Sequence, residues 1–233
     1  MAEAKVTVDG VTHQVPKPFI VIATQNPKGS AGTQLLPESQ LDRFMICISM
    51  GYTDLQSEIE IAQGKSRAIP PNLVKCVLPA DELIEIQGLV EEVYVKDSVY
   101  KYIVELSRAT RNNQYIELGI SPRGTIACTK MARAWAFLNG RSYVIPQDVD
   151  DIFKDIAIHR IVLNTKARVA NESADAVIDG IMEQTEQPVS HVNYGEEDRL
   201  SGRSDNDDIS NSGDRSSKRY KTKLKGKGRI FHG

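Results

Sequence analysis

No stretch of this 233-residue sequence approaches the ~18 consecutive apolar residues that a membrane span needs. The opening, MAEAKVTVDG, has neither a basic n-region nor an apolar h-region. It does not read as a signal peptide, and a cytoplasmic setting is the expectation. Cysteine is scarce: Cys47, Cys76 and Cys128 are odd in number, far apart and set among apolar residues. That excludes a disulfide framework and reads as three reduced core thiols. His13, His159, His191 and His232 form no ligand-spaced pair, so no structural zinc is expected. None of the 16 glycines opens the pattern G-x-x-x-x-G-K-[ST], whose backbone N–H groups cradle phosphates. The nearest approach, GTIACTK from Gly124, lacks the second glycine and falls inside a predicted helix. Nor does any apolar strand end in Asp-Glu, the pair that would hold magnesium and activate water.

What is present divides into three parts. VTVDGVTHQV places Asp9-Gly10 between two short β-prone runs, a strong hairpin signal. PFIVIAT and MICISM are continuous apolar runs that read as strands covered on both faces. LPESQLDRF between them reads as a short helix. From position 53 the pattern becomes helical. Thr53 and Asp54 can cap a helix that ends at Gly64. Leu83, Ile86, Leu89 and Val90 form one stripe, and Val99, Ile103 and Leu106 another. Ser121 and Pro122 open a helix that closes at Gly140, with an expected stripe of Ala127, Met131, Ala134, Trp135 and Leu138. IPQDVDDIFKDIAIHRIVL reads as a further helix and ESADAVIDGIMEQ as a weaker one. After about position 188 the composition turns to Ser, Gly, Asp and Lys, too polar to offset its ordering entropy. The expected architecture is α+β. Residues 1–54 hold a hairpin and two parallel strands of a partial α/β sheet, 55–188 form an all-helical domain, and 189–233 form a disordered charged tail. Two strands and a hairpin cannot make a stable sheet domain alone.

Three residues carry candidate chemistry. Asn26 ends the first apolar strand, where ligands of open α/β sheets sit. Its amide could orient a water or touch a phosphate oxygen, or Asn-Pro could simply start a turn. Arg43 follows the short helix. It could be a cation favoured by a helix C-terminus, or an arginine that acts in trans on a transferring phosphoryl group. Arg123 lies in the first turn of a helix, where a cation opposes the dipole. Local stability does not explain it. An anion site at the helix N-terminus would, as would a nearby carboxylate.

These residues and their surroundings resemble the MoxR family of AAA+ ATPases. The match lies in VTVDGVTHQVPKPFIVIATQNP, GTQLLPESQLDRF, GYTD, ATR, LGISPRGTIACTKMARAWAFLNGRSYVIPQDV and HRI, which cover most of positions 5–162. The resemblance implies Asn26 as sensor 1, Arg43 as the arginine finger and Arg123 as sensor 2. It implies that residues from about 55 to 188 form the helical lid, and that ATP and Mg2+ are the cofactors. It implies a ring, expected to be a hexamer, in which Arg43 reaches a neighbour's ATP. It also implies chaperone-like remodelling of partners, often proteins with a von Willebrand A domain. The departure is plain: the Walker A and Walker B motifs are absent, so this chain alone is not expected to hydrolyse ATP. Met1 looks like a methionine internal to a longer reading frame, with a genuine shortened product as the alternative.

Two other functions compete. The helical part could be a non-catalytic module that docks on ATPase rings and donates Arg43. The basic end of the tail, SKRYKTKLKGKGR, could bind nucleic acid. Against the latter, the net charge is -2, only Tyr220 interleaves the run, and a solvated charge run accounts for it.

Overall fold

The computed structural model describes residues 5–25, 36–65 and 74–188. The chain opens with a hairpin of β1 (Lys5–Val8) and β2 (Val11–Gln14), paired antiparallel. Asp9 and Gly10 turn it with φ of 50° and 79°, both left-handed, the requirement of a type I′ turn. Then come α1 (Glu38–Leu41) and α2 (Leu55–Ala62). Asp54 caps α2 by accepting from the Ser57 N–H at 2.9 Å. Gly64, at φ 66°, closes it in a Schellman pattern, with Lys65 donating to Glu60 and Gly64 to Ile61. No residue of α2 is buried.

The packed body follows: α3 (Ala80–Glu91), α4 (Asp97–Asn112), β3 (Ile116–Leu118), α5 (Pro122–Leu138), α6 (Pro146–Ala157), β4 (Val162–Leu163), α7 (Thr165–Ala170) and α8 (Ala174–Gln184). Its core draws Val99, Tyr102, Ile103 and Leu106 from α4, Val149, Ile152, Phe153 and Ile156 from α6, and Val177, Ile178 and Ile181 from α8. The small residues Ala127, Cys128, Ala132 and Ala136 of α5 are buried in the same core. They leave no bulk between backbones, so α5 packs close against α6. Asp148 is buried and forms a two-pronged ion pair with Arg141, and it also accepts from the Ile145 N–H at 2.8 Å, which satisfies the start of α6. Tyr102 donates to Asp150 at 2.6 Å. Burial pushes the Cys128 thiol up to about 12, so it stays neutral.

Several expectations require correction. PFIVIAT and MICISM form no sheet among the described residues: 19–25 and 45–50 carry no strand pairing. Ile20, Ile22, Ile48 and Met50 stand 64%, 88%, 63% and 92% exposed. A strand patterned for cover on both faces needs neighbouring strands to complete its hydrogen bonds, and among the described residues none pairs with these runs. The helical part is not all-helical, because β3 and β4 pair antiparallel and Tyr94 bridges to Tyr143. IPQDVDDIFKDIAIHRIVL therefore divides into α6 and β4. Cys47 and Cys76 are exposed, and only Cys128 is a core thiol. The expected α5 stripe holds in part: Ala127 is buried and Met131 and Trp135 pack against the core, but the buried face also takes in Gly124, Cys128, Ala132 and Ala136, while Leu138 is 63% exposed. Among the described residues no helix is long and apolar enough to cross a membrane. The tail 189–233 and Asn26 lie outside the described residues.

Candidate functional site

The N-terminus of α5 is built by its own sequence. Ser121 is extended, at φ -72° and ψ 165°, and its hydroxyl oxygen accepts from the Gly124 N–H at 3.4 Å. Pro122 occupies the first helical position, where its missing N–H costs nothing. Arg123 is thereby held in the first turn with its side chain 54% exposed. The Ser121 hydroxyl has a second role. It donates to the Asp42 carboxylate, with oxygens at 2.9 and 3.1 Å.

Asp42 caps the C-terminal end of α1, next in sequence to Arg43. Its carboxylate is the meeting point of the site. Besides Ser121 it receives Arg160 Nε at 3.1 Å and stands 3.7 Å from Arg123 Nη1. The two contacts differ in strength. The Arg160 side chain is 2% exposed and hydrogen-bonded, whereas Arg123 reaches Asp42 at long range from solvent. An exposed pair of that kind contributes at most about 1 kcal/mol. The carboxylate that local sequence reasoning allowed as a partner for Arg123 is thus present, but its hold is loose.

Arg43 is exposed and makes no ion pair among the described residues. With Leu36, Ser39, Gln40 and Phe44 it lines an open cleft of about 520 Å³. Its backbone is not loose. The Arg43 N–H donates to Gln40 at 3.1 Å and the Phe44 N–H to Leu41 at 3.0 Å. Around Asp42 two guanidinium groups, those of Arg123 and Arg160, meet one carboxylate, and Arg43 is the next residue along the chain. Arg43 and Arg123 are the exposed cations of this segment.

Sequence reasoning missed Asp42 and Arg160. The HRI string by itself assigns its arginine no role. A signal was available: Phe153, Ile156 and Ala157 are the buried face of α6, and Arg160 continues that face at i+3 and i+4. A cation on an apolar stripe needs a partner. Burial lowers the Arg160 pKa from its ordinary value, and the Asp42 carboxylate opposes that. Next to it His159 is also lowered, first by burial and then by the Arg160 charge, which favours neutral imidazole. His159 Nε2 lies 3.2 Å from the Phe44 carbonyl, to which neutral imidazole donates.

The fit to a nucleotide is partial. The N-terminus of α5 with Arg123 offers a phosphate a helix dipole and a cation. Among the described residues no group of three acidic, His or Cys side chains is placed to hold a metal.

Comparison with known proteins gives a consistent result. The family described as AAA lid domain matches residues 108–181, and the ATPase family associated with various cellular activities (AAA) matches residues 1–46. The uncharacterised protein YeaC of Bacillus subtilis is 39% identical over 81% of this chain and 59% of its own length. Chaperone MoxR1 of Mycobacterium tuberculosis is 33% identical over 81% of this chain and 52% of its own length. The crystal structure of a candidate ATPase from Cytophaga hutchinsonii superposes with a TM-score of 0.72 at 34% identity, covering 81% of this chain and 60% of that one. The chain therefore spans between half and three-fifths of the length of these three relatives.

Proposed function

The chain belongs to the MoxR family of AAA+ ATPases, and on that premise we propose that it is the sensor-and-lid portion of such an ATPase, with Arg43 acting on nucleotide held by a neighbouring subunit. The observation that carries this reading is the shape of the Asp42 cluster. One carboxylate ties the segment bearing Arg43 to the N-terminus of α5 bearing Arg123, and it leaves both cations exposed. Arg123 is the sensor 2 residue, reaching a phosphate of its own subunit's nucleotide beside the α5 dipole. Arg43, next to Asp42 in sequence, lines an open cleft, suited to a phosphate outside its own subunit. Asn26 serves as sensor 1. ATP supplies the transferable phosphoryl group, and the part of Arg43 is to offset charge that grows on it, an effect worth ~10³–10⁵ in rate.

The phosphate cradle and the magnesium ligands belong to a P-loop half that this sequence does not contain. The working assembly is a ring, six-membered on this reading, that remodels partner proteins in the manner of a chaperone, with von Willebrand A domain proteins as the class to test. Calorimetric titration of the chain alone with ATP is the experiment. No binding in the micromolar range is expected, and binding should appear when a P-loop half is supplied. Micromolar binding by the chain alone would overturn the division of labour.

A further inference from the structure

We propose that Arg160 is a positioning residue for Arg43: a buried arginine of the lid that clamps the backbone on both sides of the exposed one. The proposal rests on the reading of Arg43 as a trans-acting arginine. Arg160 is 6% exposed, and its guanidinium is spent on one segment and one helix end. Nε donates to Asp42 Oδ1 at 3.1 Å, and Nη2 donates to the carbonyls of Asp42 at 3.3 Å and of Phe44. Nη1 donates to the carbonyls of Met45 at 3.1 Å and Ile156 at 2.6 Å. The Asp42 and Phe44 carbonyls belong to the peptide groups that follow Asp42 and Phe44, so they bracket Arg43. Fixing both sets where the Arg43 side chain departs, while the side chain itself stays unpaired among the described residues.

Independent features serve the same clamp. His159 meets the Phe44 carbonyl at 3.2 Å, and the Cys47 N–H donates to the Asp155 carbonyl at 2.9 Å. A Cβ on Gly124 would lie 2.5 Å from Ile120 Cγ2 and 2.8 Å from Arg160 Cδ, so the absence of a side chain there opens the passage for Arg160 beneath the first turn of α5. The chemistry calls for arginine. A lysine has the charge but only one nitrogen, and it cannot reach a carboxylate and carbonyls on two sides at once. Asp42 adds a consequence. Because the same carboxylate contacts Ser121, Arg160 and Arg123, the lid and the pose of Arg43 are parts of one polar cluster.

The test uses Arg160→Lys, Arg160→Met and Asp42→Asn, the last leaving the lid core untouched. In the chain itself, amide exchange across residues 43–47 and tryptic cleavage after Arg43 are expected to rise about tenfold or more, as loss of charged-donor hydrogen bonds implies. Exchange within α4 should not change. Unchanged protection in Arg160→Lys and in Asp42→Asn overturns the clamp, and an Arg160→Met chain that fails to fold leaves those two variants decisive. In the assembled ATPase, Arg160→Lys should lower kcat with ATP affinity unchanged, and should lower it no further when Arg43 is already Ala. A further drop on the Arg43→Ala background means that Arg160 acts otherwise than through Arg43, and the proposal falls. If Arg43→Ala alone keeps full turnover, the arginine-finger reading fails instead, whatever the exchange data show, and the positioning role falls with it.

Discussion

Two regions of this molecule are rich in the same residues and end in opposite environments. Ile103, Leu106, Phe153 and Ile156 of the lid are 0% exposed, whereas Ile20 and Ile22 of the N-terminal region are 64% and 88% exposed. Both regions carry β-branched and large apolar side chains. What separates them is the range over which their partners are found. The lid stripes on α4, α6 and α8 meet one another within one stretch of chain, so burial completes itself. The runs at 19–25 and 45–50 are patterned for a sheet, and a strand's partners are other strands. The N-terminal region is therefore fastened to the lid by polar contacts at Asp42–Cys47 in place of a shared apolar core. An apolar sequence states that burial is needed; it does not state that this chain supplies the cover.

The comparison can be broken most forcefully by truncating one side chain on each side of it. Phe153→Ala is expected to cost the lid about 3–5 kcal/mol, the range for an aromatic removed from a packed core. Ile22→Ser should change lid stability by less than about 0.5 kcal/mol, since it removes an exposed side chain. Thermal or urea unfolding followed by far-UV circular dichroism reads both. Similar losses in the two variants would mean that the N-terminal region shares the core after all.

A finer contrast uses two glycines. Gly124→Ala places a methyl against Ile120 and Arg160, and a cost of about 1–3 kcal/mol is expected with loss of protection at 43–47. Gly88 in α3 meets nothing within 4 Å, so Gly88→Ala should stabilise, by up to about 1 kcal/mol. Denaturant midpoints of the two variants give the comparison directly, and equal midpoints would contradict the tight passage under α5.

The smallest effect concerns pH. The folded pKa of His159 lies below its ordinary 6.5, so above 6.5 both states are neutral and its contribution is fully present. As pH falls from 6.5 through the lower folded value, the unfolded state takes up the proton first and stability declines. Asp150 and Asp155 are raised by burial and act in the opposite sense. The informative quantity is therefore the difference between the parent chain and His159→Gln. That difference should shrink on acidification, visible as converging melting temperatures. A constant difference would place His159 outside the clamp.

Much of the lid was legible in the sequence because its signals are local. The Val99, Ile103 and Leu106 stripe, the Ser121-Pro122 start, the Gly64 and Gly140 ends and the Asp9-Gly10 turn depend on neighbours a few residues away. The failures depend on distance. Whether PFIVIAT becomes a strand depends on chains of residues that must lie beside it. The apolar stripe gives the face of α5 only in part, through Ala127, Met131 and Trp135, because Gly124, Ala132 and Ala136 are small: close approach of helices buries residues that hydrophobicity alone ranks below Leu138. In the site, Arg43 and Arg123 could be picked out by type and position. Asp42 and Arg160 could not be paired, because 118 residues separate them and neither reading of a helix end contains the other.

The measurement that tests the central claim most directly is turnover by mixed subunits in the ATPase that includes the P-loop half. Arg43→Ala should leave ATP affinity within about threefold and lower kcat by roughly 10² or more. Mixing it with subunits that lack only the P-loop lysine should restore part of the rate, because some interfaces then join an intact cradle to an intact Arg43. Normal turnover by Arg43→Ala alone, or no recovery in the mixture, would contradict the claim that Arg43 serves a neighbour's nucleotide.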